Sequence, residues 1–194
     1  MQASLNHSLF LWLNAPADAH AALLAVAQAL AVHAHWIVVA GLLVALAQWR
    51  QADWRRGALD ALLAALLARG INMAIQALWF QPRPAALGLG HQHLAHSANA
   101  SFPSDHATAL WAVGASLLLH RRTRPAGLAV CGLGAAVAWA RVFLGVHFPL
   151  DILGAAAVAL VAARVVAALP HRRYRPATPV AVPPVTPAPV TLAE

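Results

Sequence analysis

Lysine is absent from this chain, and all thirteen basic residues are arginine. Acidic residues number six, and charged residues of both signs make up 10% of the sequence. A soluble domain carries about 25% charged residues, so the composition excludes an ordinary water-soluble globule. The single cysteine, Cys131, lies inside an apolar run. That excludes an internal disulfide, and the residue reads as a small core filler. The net charge of +7 is carried in short segments between apolar runs. No contiguous basic face results, which excludes nucleic acid as a partner. The first basic residue is Arg50. The leading segment therefore lacks the basic start of a cleavable signal peptide, and membrane helices are expected to direct their own insertion.

What the chain has is hydrophobicity, 61% of its residues. Apolar runs cover 19–33, 34–49, 57–80, 105–120, 126–143 and 149–169. A bilayer core needs roughly 20 helical residues. The last four runs meet that length with modest trimming or extension, and residues 19–33 either span or lie in the interface. The expected fold class is all-α: a polytopic membrane helical bundle of five or six transmembrane helices. Residues 1–33 are expected to form an N-terminal interfacial or first membrane helix. Residues 34–169 form the membrane domain, and the proline-rich 170–194 a disordered cytoplasmic tail. Arg50, Arg55 and Arg56, then Arg121, Arg122 and Arg124, then Arg172, Arg173 and Arg175 fall on one side of such a bundle. By the positive-inside rule that side is cytoplasmic. Trp36, Trp49, Trp54 and Trp79 are expected near span ends, as an aromatic belt. The opposite side holds 81–104 and 144–148, and only Arg83 and Arg141 lie near it.

Three stretches converge on that face: QALWFQPRP, ending at Arg83; PSDH, residues 103–106; and ARVFLGVHFPLD, with Arg141, His147 and Asp151. Two arginines on one face make a fork-like clamp for an oxyanion such as phosphate. Ser104 stands where a helix begins, and a helix N-terminus attracts anions. His106 occupies the first turn of the same helix. His147 and Asp151 are four residues apart, with Pro149 suited to the first helical position. The carboxylate can take one imidazole N–H and leave the other nitrogen free to attack. This is equipment for phosphoryl transfer without a metal; no cofactor is implied, and the motifs supply no metal cage.

Taken together, the stretches resemble the three signature motifs of the type-2 phosphatidic acid phosphatase superfamily, which shares its site with vanadium haloperoxidases. The family pattern is Lys, six residues, Arg-Pro; then Pro-Ser-Gly-His; then Ser-Arg, five residues, His, three residues, Asp. The resemblance covers roughly residues 55–169, and the spacing of Arg141, His147 and Asp151 matches. Three positions depart: Gln76 replaces the lysine, Asp105 the glycine, and Ala140 the serine. Gly70-Ile71-Asn72, Trp79-Phe80 and Ser104-Asp105-His106 resemble the bacitracin-resistance branch, the undecaprenyl-diphosphate phosphatases of the bacterial envelope.

The resemblance implies a role for each residue. His147 attacks phosphorus, Asp151 orients it, and His106 protonates the leaving group. Arg83, Arg141, Ser104 and the backbone at Asp105 hold phosphate oxygens, and Gln76 donates where the family has a charge. It implies a phosphatase in the bacterial inner membrane, with its site facing the periplasm and a polyprenyl diphosphate as substrate within the bilayer. Phosphatidic acid, phosphatidylglycerol phosphate and diacylglycerol pyrophosphate are alternative substrates, and a non-catalytic lipid-phosphate carrier is the alternative class. The sequence does not give the oligomeric state.

Other charged residues read more plainly. The Asp105 carboxylate would repel phosphate, so it is expected to serve the helix dipole. His91, His93 and His96 are expected in a flexible polar loop rather than a metal site. Arg69 lies seven residues before Gln76, roughly 10 Å of rise. It is expected to pair with Asp60 or a backbone carbonyl.

Overall fold

The computed structural model describes residues 2–47, 51–97 and 99–170. The proline-rich tail expected after residue 170 lies outside the described residues, as do Arg50, Trp49, Arg172, Arg173 and Arg175. Among the described residues all regular elements of the chain are helices, without strands. Its elements are α1 (Gln2–Leu13), α2 (Ala21–Ala47), α3 (Ala52–Leu78), a 3-10 turn (Pro84–Leu87), α4 (Asp105–Leu118), α5 (Arg124–Phe143) and α6 (Pro149–Ala168). Of these, α2, α3, α5 and α6 are long and apolar enough to cross a membrane.

Two expectations change. The boundary between residues 33 and 34 falls inside α2, one unbroken 27-residue helix. Nothing in that sequence terminates a helix, since neither proline nor an isolated turn signal interrupts the alanine-rich pattern. Trp36 consequently lies mid-helix rather than at a span end. The run at 105–120 yields α4, which has 14 residues. At 1.5 Å per residue that is about 21 Å, short of a bilayer core. Instead of meeting lipid along a full span, α4 is the inner helix and packs against α3, α5 and α6.

Small side chains allow this packing. One core cluster joins Ala64 and Ala68 of α3, Ala112 of α4, and Val158, Ala159, Ala162, Ala163 and Val166 of α6. Where the lipid is as apolar as the side chains, close backbone approach supplies the packing energy. Gly114 on α4 faces the Cys131 side chain on α5, and a Cβ there would lie 2.5 Å from Sγ.

The bundle has two chemically different ends. At one, Arg55 and Arg56 begin α3, and Arg121, Arg122 and Arg124 line the α4–α5 connection. Arg122 Nε reaches Asp53 Oδ2 at 3.6 Å, and His120 Nε2 meets Asp60 Oδ2 at 2.9 Å. At the other end lie the 79–104 connection, the α5–α6 turn and α1. Phe10 of α1 is buried against Val142 and Phe148. Asn14 Nδ2 donates to the carbonyls of Phe143 (3.0 Å) and His91 (2.9 Å), and its Oδ1 accepts the His91 N–H at 2.7 Å. α1 thus ties the long connection to the end of α5.

Candidate active site

Local sequence dictates how each side chain arrives at this second end. Pro149 opens α6, and Asp151 in its first turn accepts the N–H of the N-cap residue Phe148 at 2.8 Å. The same Oδ2 accepts from Ser101 Oγ and lies 3.3 Å from His147 Nδ1. His147 is buried, and its position depends on a tight turn. The N–H groups of Val146 and His147 both return to the Arg141 carbonyl, at 3.0 and 3.3 Å. Gly145 makes the turn with φ +79°, and a Cβ there would meet the His91 carbonyl oxygen.

Arg83 is buried and threads between two loops. Its Nη1 donates to the Val146 carbonyl at 2.9 Å, and its Nη2 to Asn99 Oδ1 (2.8 Å) and the Ala100 carbonyl (3.0 Å). Nη1 also lies 3.3 Å from His147 Nε2. Arg141, at the end of α5, is 3% exposed, and its Nε and Nη2 have no hydrogen-bond partner among the described residues. Ser104 Oγ, at the N-cap of α4, is likewise buried and unpartnered. Native structures satisfy most buried polar groups. Two unpaired guanidinium nitrogens beside a helix N-terminus form a cradle suited to an oxyanion.

Burial, the largest influence, drives the His147 imidazole down to about 4, against the raising effect of its hydrogen bond to Asp151. The ring is therefore neutral at physiological pH. Its Nδ1 faces a carboxylate, so Nε2 carries the free lone pair. Burial also lowers the pKa of Arg83, opposed by the charges of Asp151 and Asp105.

Asp105 takes up its neighbours differently from the expectation. Its Oδ1 accepts from Arg69 Nη1 (2.9 Å), Asn72 Nδ2 (2.9 Å) and Gln76 Nε2 (3.2 Å). Arg69 therefore pairs with Asp105 and not with Asp60, which meets His120. The reason is axial: α4 starts level with the last third of α3, so its first residue lies beside Arg69, Asn72 and Gln76. Gln76 also donates to the Pro103 carbonyl at 3.3 Å, which fixes the turn before α4. The Asp105 charge is neutralised by Arg69 and held toward α3.

His106, in the first turn of α4, faces an imidazole that sequence reading did not assign: His35 of α2, with ring centroids 5.5 Å apart at 82°. Ser101 and Asn99 were also missed. Each is a lone polar residue in a serine- and alanine-rich loop, and only the fold sets them against Asp151 and Arg83. The loop histidines are engaged separately: His93 Nε2 lies 3.2 Å from the Ala15 carbonyl, and His96 Nδ1 lies 3.2 Å from that of Ser97. The His96 ring stands 6.2 Å from the His147 ring. Among the described residues no group of three His, Cys, Asp or Glu side chains is placed to hold a metal.

A family model described as the PAP2 superfamily matches residues 57–175. The chain belongs to that superfamily. The PAP2 match takes in most of α3, all of α4 to α6, and every site residue named above except His35. Among curated relatives, undecaprenyl-diphosphatase BcrC of Bacillus subtilis (strain 168) is 33% identical over 128 residues, 65% of each chain. The match thus spans just under two thirds of that relative's length. Putative undecaprenyl-diphosphatase YbjG of Escherichia coli (strain K12) is 31% identical over 180 residues, 90% of this chain and 89% of that one. Two solved structures superpose on it. Aquifex aeolicus LpxE has a TM-score of 0.70 at 23% identity, covering 84% of this chain and 94% of its own. The first transmembrane PAP2-type phosphatidylglycerolphosphate phosphatase from Bacillus subtilis has a TM-score of 0.66 at 18% identity, covering 86% and 84%. At those identities the likeness speaks for the fold.

Proposed function

We propose that this PAP2 protein is an integral membrane lipid-phosphate phosphatase whose substrate is undecaprenyl diphosphate, which it converts to undecaprenyl phosphate. The observation that carries the reading is the buried His147, with Asp151 on Nδ1 and Arg83 3.3 Å from Nε2, next to the unpaired guanidinium of Arg141. The relatives named as undecaprenyl-diphosphatases support the substrate.

In this mechanism Arg83, Arg141, Ser104 Oγ and the N–H groups opening α4 hold the terminal phosphate. His147 Nε2 attacks its phosphorus. A P–N bond forms as the bridging P–O bond breaks, and the electron pair leaves on the lipid monophosphate. His106 supplies that oxygen's proton; burial and then the Arg141 charge drive its pKa down to about 3, and the dianionic phosphate beside it acts against them by favouring the imidazolium form. Water, activated by the now neutral His106, then attacks the phosphohistidine. Inorganic phosphate departs and His147 is restored. Asp151 and Ser101 hold the nucleophile's orientation, and Gln76 and Asp105 hold the start of α4.

The arginines support a membrane orientation. Those at Arg55, Arg56, Arg121, Arg122 and Arg124 lie at the end opposite the site, which supports a site on the extracytoplasmic, periplasmic face. An amphiphilic substrate needs such a place, with its phosphate near water and its tail in lipid. Carrier-lipid recycling there would raise tolerance to bacitracin.

The test is phosphate release from undecaprenyl diphosphate by purified protein in detergent, with His147→Ala and Arg141→Ala as controls. Release by the wild type and loss in both variants is expected. His147→Ala at wild-type turnover overturns the nucleophile. Faster release from phosphatidic acid or phosphatidylglycerol phosphate reassigns the substrate. No release from any lipid phosphate leaves a carrier.

A further inference from the structure

The three motif stretches draw on α3 to α6, and α2 contributes to none of them. Yet α2 brings His35 to the site. Its ring is half-buried, lies 5.5 Å from the His106 ring at 82°, and is backed by Trp36 at 4.8 Å. Its Nδ1 is buried without a hydrogen-bond partner among the described residues. A buried ring nitrogen left unpaired is costly, and an apolar residue would pack α2 against its neighbours without that cost. The next buried positions along the same face, Ala31, Ala34 and Val38, are apolar.

Displacement at phosphorus places the attacking and leaving atoms roughly in line. With His147 attacking, the leaving oxygen departs on the side away from His147, where the proposed proton donor His106 stands with the His35 ring 5.5 Å from its own. In an ordinary phosphate monoester the next atom past that oxygen is carbon, which offers an imidazole nothing. In a diphosphate it is a second phosphorus bearing charged oxygens. We propose that His35 is a specificity-determining residue that donates a hydrogen bond to the second, lipid-attached phosphate, so that the site selects diphosphates over monophosphates. This inference rests on the reading of the site as a lipid-phosphate phosphatase and deepens it.

The test uses the full chain in detergent and two probes, inorganic phosphate and the non-hydrolysable methylenediphosphonate, with binding measured by titration calorimetry. Phosphate needs only the arginine cradle, whereas the diphosphonate reaches past it. Wild type is expected to prefer the diphosphonate by about tenfold or more, the range of a hydrogen bond to a charged group. His35→Ala should lose most of that preference while its phosphate affinity stays within about twofold, and His35→Gln, which still donates, should keep part of it. An unchanged preference in His35→Ala overturns the proposal. So does a parallel loss for both probes, which would mean that His35 acts through His106 or the fold. A wild type without preference, or one that binds neither probe, also overturns it. Failure of phosphate release from undecaprenyl diphosphate would instead strike the phosphatase reading, whatever the binding ratio.

Discussion

Arg83 Nη1 lies 3.3 Å from His147 Nε2 while donating to the carbonyl of the preceding residue, Val146, at 2.9 Å. One guanidinium thus sets the position of the His147 loop and lies beside the nitrogen proposed to attack. Its other arm holds Asn99 and Ala100. Lysine has one nitrogen and cannot reach both loops at once. Arg83→Lys should therefore lower kcat roughly a hundredfold and reduce stability by about 1–3 kcal/mol, as buried carbonyls lose donors. Phosphate-release kinetics and thermal unfolding of the same preparation check both. A variant with normal kcat would show that the positive charge alone suffices.

Asp151 Oδ2 meets three donors: Ser101 Oγ, the Phe148 N–H and His147 Nδ1. Asp151→Asn keeps the shape but can present an N–H to the imidazole, which favours the wrong tautomer. By analogy with serine-protease triads, kcat should fall on the order of a thousandfold or more. Substrate affinity should change little, because the carboxylate does not face the phosphate cradle. Ser101→Ala should cost less, about tenfold, since two donors still hold the carboxylate. Equal losses in the two variants would mean that Ser101 does more than brace Asp151.

Much of this site is legible in the sequence because its parts are spaced along single elements. His147 and Asp151 stand one helical turn apart around Pro149, and Ser104 and His106 bracket a helix start after Pro103. Such local patterns survive folding. Ser101, Asn99 and His35 carry no local signal, since each acquires its meaning across 46, 16 or more residues of chain. The Arg69–Asp105 pair was missed for a related reason: charge spacing along one helix cannot show where a shorter neighbour begins. The same ignorance of neighbours made α4 look like a full span. Its alanines, glycine and leucines make one apolar run, and much of that surface is buried against three helices.

Asp105 stands where the family has glycine, and its carboxylate collects Arg69, Asn72 and Gln76. Asp105→Gly would restore the family motif, yet it strands the part-buried donors of Asn72 and Gln76 and leaves the half-exposed Arg69 without its partner. The variant should lose about 1–2 kcal/mol of stability, the exposed ion pair itself contributing little. Arg69→Leu together with Asp105→Gly should lose less than the sum of the two single changes. A double-mutant cycle by thermal unfolding measures the coupling; strictly additive losses would show the pair to be idle.

Gly145 holds φ +79°, and the His91 carbonyl occupies the space where a side chain would begin. Gly145→Ala combines left-handed strain with a backbone clash, and neither partner is a flexible side-chain tip. The expected loss is about 2–4 kcal/mol. Because the turn aims Val146 and His147, turnover should fall even at temperatures where the variant is fully folded. Circular dichroism melting beside phosphate release separates the two effects. A variant that melts normally would show that the turn can open at small cost.

The His147 imidazole makes the fold sensitive to acid in a defined direction. Unfolded, it takes up a proton near about 6.5; buried, it does so only at about 4. Between those values the unfolded chain holds the extra proton, so this residue's contribution to stability falls as pH drops from 6.5 towards 4 and levels off below. His147→Gln cannot titrate. Its melting temperature should decline less than that of the wild type between pH 7 and pH 5, whatever its absolute value. The same depression keeps the proposed nucleophile neutral, so any acid limb of kcat/KM above pH 5 must come from another group, the substrate phosphate with its second ionisation at about 6 being the first candidate. Replacing the substrate by a thiophosphate analogue of lower pKa should then move that limb downward. A limb that stays in place would return the titration to an imidazole of the protein.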